Sequence, residues 1–163
     1  MEEIVIVGVR TRLEDPKEAL AQVQSFARSR RGWAQLLDAA HVMGKDHLRS
    51  AYDHARRAIE QGTQTTNSIE LEVLLYASGE HQIARAINRI GVKPRRPFVL
   101  VLDGGVRPEE VLGKFRWTRD DDVLRPSMRK LRALGFSAKE IETAGGMATD
   151  LVLELVARVD LLK

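Results

Sequence analysis

An α+β fold with a mainly antiparallel sheet packed by several helices is what this 163-residue sequence predicts, and three observations predict it. Three short runs, 3–10 (EIVIVGVR), 33–42 (WAQLLDAAHV) and 97–103 (PFVLVLD), are rich in β-branched and aliphatic residues and read as strands. Between and after them lie longer stretches with apolar residues at helical spacing. Those stretches do not fall one per strand, as a doubly wound nucleotide-binding sheet requires. No repeat, linker or low-complexity tract divides the chain, so residues 1–163 are expected to form a single domain.

In chain order, the strand at 3–10 is followed by Asp15-Pro16, a cap and a first-turn proline that open a helix over 17–29. The run at 33–42 does not alternate cleanly but is read as a strand, and Gly44 breaks it. The helix KDHLRSAYDHARRAIEQG ends at Gly62 and carries Leu48, Tyr52, Ala55 and Ile59 on one stripe. Asn67 with Glu70 resembles a capping box. It opens a helix over 68–78 that is apolar nearly all round and is expected to be almost inaccessible. After Gly79 the helical pattern resumes, with Ile83, Ala84, Ala86, Ile87 and Ile90 inward and Arg85 and Arg89 outward. The strand at 97–103, a short helix from Pro108, a helix over 128–136, a shorter one over 137–146 and the terminal helix complete the chain. In that last helix Leu151, Val152, Leu155, Val156, Val159 and Leu162 fill one arc, and Leu153 and Leu161 fall outside it.

Composition narrows the function classes. No apolar run approaches a membrane span, and the acidic start passing straight into a strand is not a signal peptide, so a soluble cytoplasmic protein is expected. With no cysteine, disulfides and thiolate chemistry are excluded. Net charge is +3, and 19 of the 26 basic residues are arginine, whose fork suits phosphate. They cluster in ARSRR (27–31), Arg56-Arg57, KPRRP (93–97) and 125–132, the footprint of a nucleic-acid binder or of a solvated surface in an arginine-rich proteome.

Catalytic constellations are missing. No P-loop or nucleophile elbow occurs, and LDGG lacks the third glycine of a dinucleotide fingerprint. His47 and His54, seven residues apart, are too distant on a helix to share a metal, and Asp120–Asp122 reads as a solvated turn rather than a cation site. No metal and no cofactor is expected. The segment LLYASGEHQIARAI (74–87) draws attention instead. Gly79 can take the left-handed conformation that closes one helix, and Ser78 can cap the next. The second helix would then present its first N–H groups to an anion, with Gln82 and Arg85 in its opening turns. A packed helix–helix corner with no ligand is the plainer reading.

LEVLLYASGEHQIARAI resembles the signature of the small kinase-associated subunit of the KEOPS complex, the TPRKB-type family, in its archaeal form. LLDAAHVMGKDHLRSAYDHARRA and GMATDLVLELVARVDLL are similar to two further family stretches, in the right order. The resemblance implies a non-catalytic subunit that docks on the N-terminal lobe of the kinase-like ATPase subunit. It also implies that the subunit holds the CCA end of tRNA while the complex, through its other subunits, makes threonylcarbamoyladenosine. On that basis Lys45, Gln82 and Arg85 are expected to contact the CCA end, with Ser78 and Gly79 shaping the wall. Leu153 and Leu161 are expected at the kinase interface. His81 stands where the family carries arginine or lysine, so no permanent cation is expected there. Two other classes compete. One is a small enzyme on phosphorylated substrates that uses the 79–85 corner and LDGG as cradles. The other is a protein-binding adaptor with no nucleic-acid role.

Overall fold

The structure, a computed structural model, describes residues 3–163. Contacts gather the chain into two compact units, one of residues 3–39 and 92–124 and the other of residues 40–91 and 125–163.

The first unit holds the sheet. Strands β1 (Ile4–Val9), β2 (Ala34–Asp38) and β3 (Phe98–Asp103) are ordered β1-β3-β2, with β3 central and antiparallel to both neighbours. Residues 98–102 are buried at every position, so β3 reads as one unbroken apolar run rather than an alternating one. Helix α1 (Pro16–Ser29) starts as its sequence predicts, with the Asp15 carboxylate accepting the Glu18 N–H at 3.1 Å and proline in the first turn. Val23 and Ala27 of α1 and Val111 of α5 (Pro108–Phe115) pack with Val7, Leu36, Leu100 and Trp117 into one core. The α+β class and the antiparallel sheet are as expected.

Each strand is shorter than its sequence pattern. The run at 33–42 pairs only over Ala34–Asp38 and then turns into a 3-10 helix at Ala39–His41. The pairing ends because Pro97, next along the partner strand, has no N–H to give. It only accepts from Ala39 N–H at 3.3 Å. The aspartate run closes a turn along β1. Asp121 Oδ1 accepts the Gly8 N–H at 2.9 Å, and the Asp120 N–H donates to the Gly8 carbonyl at 2.8 Å. A Cβ on Gly8 would lie 2.4 Å from the Asp120 oxygen, so only glycine admits this turn.

The second unit is helical: α2 (Lys45–Gln61), α3 (Ile69–Ser78), α4 (Ile83–Ile90), α6 (Met128–Ala133), α7 (Ala138–Ala144) and α8 (Ala148–Leu162). Gly62 ends α2 and Gly79 ends α3, both in the left-handed region. Helix α3 is buried from Glu72 through Ser78, and no residue of it is exposed. It packs against α2, α4 and α8, which is why its apolar residues point in every direction.

Several sequence expectations fail in this unit. Ser68, not Asn67, caps α3, accepting the Leu71 N–H at 3.3 Å. Ile59 is 38% exposed although it lies on the α2 stripe, and Leu162 is 51% exposed in the final turn of α8, past the packed length of the arc. Ile87 is 47% exposed and Ala84 is exposed as well, so α4 buries only Ala86 and Ile90. Arg89 does not point outward: its guanidinium turns back onto the end of α3, donating to the Ser78 carbonyl at 3.1 Å.

Candidate functional site

The polar corner between α3 and α4 is built from the backbone outward. The last four carbonyls of a helix have no partner within it, and here each of the four finds one. Leu75 O accepts from the Ser78 hydroxyl at 2.9 Å and Tyr76 O from the Gly79 N–H at 3.2 Å. Ala77 O accepts from His47 at 2.8 Å and Ser78 O from Arg89 at 3.1 Å. Gly79 is required twice. Its φ of 75° disfavours a side chain, and a Cβ would stand 2.5 Å from Leu155 of α8.

His47 ties this corner to the start of α2. Its Nδ1 lies 3.0 Å from the Met43 N–H and so must accept, which puts the ring proton on Nε2, where it donates to Ala77 O. The ring is 1% exposed, and burial pushes its pKa down to about 4, against the opposing pull of the Ala77 carbonyl. The imidazole is therefore a neutral bracket near pH 7. It is also the contact through which the GKDH and YASG segments meet. Nothing in the sequence pattern singled it out for this, since its partner is 30 residues away.

The closing side of the corner is satisfied and the opening side is not. Helix α4 has Gln82 at its N-cap, with no side chain accepting from the first-turn N–H groups. Ser78 does not cap α4. It belongs to α3, is fully buried, and accepts the Glu80 N–H at 3.1 Å. It can shape a wall from behind but offers no group to a ligand. His81, Gln82 and Arg85 are exposed, and Lys45 is half-buried in the first turn of α2, two residues before His47. Glu80 would repel an anion here, but Arg89 lies 3.4 Å from its carboxylate.

The arginine clusters divide. Arg96 is held 2.7 Å from the buried Asp38, Arg95 lies 3.4 Å from Glu14, and Arg56 lies 2.9 Å from Glu60. Part of the basic footprint read from sequence is thus neutralised within the fold. The LDGG loop is likewise closed on itself, for Asp103 Oδ1 accepts the Gly105 N–H at 2.9 Å. That N–H is not available to a phosphate.

A second polar cluster fixes α8. Fully buried Glu72 accepts from the Thr65 N–H (2.8 Å), the Thr66 N–H (2.6 Å), the Thr66 hydroxyl (2.8 Å) and Lys163 Nζ (2.9 Å). The Tyr76 hydroxyl donates to Asp160, which also lies 2.8 Å from His54. Burial and then the Asp160 hydrogen bond raise the Tyr76 pKa. On α8, Val152, Leu155, Val156 and Val159 are buried, while Leu153 is 37% and Leu161 84% exposed.

No curated protein matches the chain. Residues 11–127 match the family described as kinase binding protein CGI-121. That span contains both corners joined by His47 and stops before α6–α8. It covers well over half of the sequence, and on it rests the assignment: the chain belongs to the kinase binding protein CGI-121 family, the kinase-associated small-subunit family that its sequence resembles.

Proposed function

We propose that this protein is a non-catalytic, cytoplasmic KEOPS subunit that binds the kinase-like ATPase and presents the CCA end of tRNA for threonylcarbamoyladenosine synthesis. The kinase half rests on membership of a kinase-binding family. The docking surface is the exposed side of α8, with Leu153 and Leu161 entering an apolar groove of the ATPase.

The tRNA half rests on one observation, the contrast at the α3–α4 corner. Every terminal carbonyl of α3 is paired, while the first N–H groups of α4 carry no side-chain cap and stand beside exposed Gln82 and Arg85. The corner therefore turns its donors, not its acceptors, outward, and a phosphate is the group that such donors take. Lys45 supplies a further cation from α2, and Ser78 and Gly79 form the wall. No described helix is long and apolar enough to cross a membrane.

Titrating tRNA against the protein at graded salt tests this. Each phosphate contact on a single strand contributes about 0.7 to the slope of log affinity against log salt. Lys45→Glu and Arg85→Glu should each weaken binding and flatten the slope, and tRNA lacking its CCA end should bind like the doubly substituted protein. Full affinity for truncated tRNA would refute the site.

A further inference from the structure

The ARSRR cluster is not absorbed by the corner, and it stands beside an aromatic cleft in the first unit. Phe98, Trp117, Phe115 and Phe26 form a ladder of rings that runs from the core to the surface. Phe98 meets Trp117 edge-on at 5.0 Å, Trp117 stacks on Phe115 at 5.0 Å, and Phe115 meets Phe26 edge-on at 6.2 Å. Four of the chain's eight aromatic rings lie in this one file, and the outer two are only half-buried. They open into a cleft of about 750 Å³ between α1 and α5, with Glu18, Gln22, Ser25 and Lys114 on its other sides.

Charge follows the rings. The Arg30 guanidinium lies 4.6 Å over Phe26, and Lys114 Nζ lies 5.6 Å from Phe26 and 5.9 Å from Phe115. Arg30 is paired with Glu110 at 2.8 Å. Arg28, Arg31 and Lys114 are exposed and have no carboxylate partner among the described residues. Half-buried π faces favour a planar ring, unpaired cations favour an anion, and Gln22, Ser25 and Glu18 offer donors and acceptors to a ring edge. One ligand class combines these requirements.

We propose that the α1–α5 cleft binds a nucleoside phosphate, its base against Phe26 and Phe115 and its phosphate at Lys114. The source is either a free nucleotide or one residue of an RNA strand. The site is separate from the α3–α4 corner, shares no residue with it, and does not depend on the tRNA reading made there.

The test uses the full chain carrying Lys45→Glu and Arg85→Glu, so that binding at the corner is already weakened. A fluorescein-labelled hexaribonucleotide is titrated by anisotropy, with adenosine monophosphate as competitor. In this background Lys114→Glu should weaken binding and reduce the salt slope by about 0.7. Phe26→Leu should weaken binding by about ten-fold, the lower range for loss of one base-stacking contact. Displacement by the monophosphate identifies a free-nucleotide site, and its failure with the hexamer still bound identifies an RNA strand; either supports the cleft. The proposal is overturned if neither the hexamer nor the monophosphate, titrated directly by calorimetry, binds, or if Lys114→Glu leaves both affinity and slope unchanged. Lys114 is exposed, so that variant reports even where Phe26→Leu lowers stability. Silent cleft variants beside active corner variants reject this site alone, and the converse rejects the corner alone.

Discussion

Replacing His47 by leucine should change stability by an amount that depends on pH in a calculable way. The ring is buried, with a pKa near 4 in the folded protein against 6.5 for a free imidazole. Above about pH 6.5 neither state binds the proton and the group contributes no pH dependence. Between 6.5 and 4 the unfolded chain is protonated and the native one is not, so stability falls as pH falls. Below about pH 4 both states bind it and the loss is complete, at about 3 kcal/mol. By about pH 4.5 most of that has gone. Leucine cannot titrate, but it leaves the Met43 N–H and the Ala77 carbonyl unpaired, at about 1–3 kcal/mol each. The variant should therefore be clearly weaker than wild type near pH 7, and the gap should close by about 2–3 kcal/mol near pH 4.5. Urea denaturation of both proteins at the two pH values measures it, and all other titrating groups cancel in the difference. A gap that stays constant, or a His47 resonance that titrates near 6.5, would refute the reasoning.

Three further outcomes are expected. Leu155→Ala should cost about 2–5 kcal/mol, because the side chain is buried and packs over Gly79. Leu161→Glu and Leu153→Glu should leave the thermal melt almost unchanged yet release the ATPase subunit in a pull-down; unaltered binding by both would remove α8 from the interface. Lys163→Met should cost about 1.5–3 kcal/mol in urea denaturation, since it strips the charged partner from buried Glu72 and the cation from its place 4.6 Å over Tyr76. No loss there would mean that water replaces the ammonium.

What the sequence disclosed and what it hid differ by the range of the interaction. Asp15-Pro16, Gly62 and Gly79 act on their own backbone, so their roles were readable where they stand. Ser78 was misread because two short-range roles compete for one hydroxyl. Gln82, not Ser78, begins α4, and the serine turns back to Leu75. Asn67 lost its role to Ser68 while the nearby Glu72 was taken up by Thr65, Thr66 and Lys163, the last 91 residues away. His47, Arg89 and Asp38 were equally opaque, for each is defined by a partner brought to it by the fold. The same limit governs the basic clusters, and it bears on where RNA would bind. Counting arginines gives the charge but not its neutralisation. With Arg96 held by the buried Asp38 carboxylate and Arg95 beside Glu14, KPRRP has less free cation for a phosphate than its composition implies. Arg85 and Lys114 gain theirs because the fold leaves them without a carboxylate partner among the described residues, each beside groups that suit an anion: uncapped N–H donors in one case, aromatic faces in the other. A cation already held by a carboxylate must break that pair before it can bind phosphate, so affinity should follow the unpaired cations and not the density of arginine.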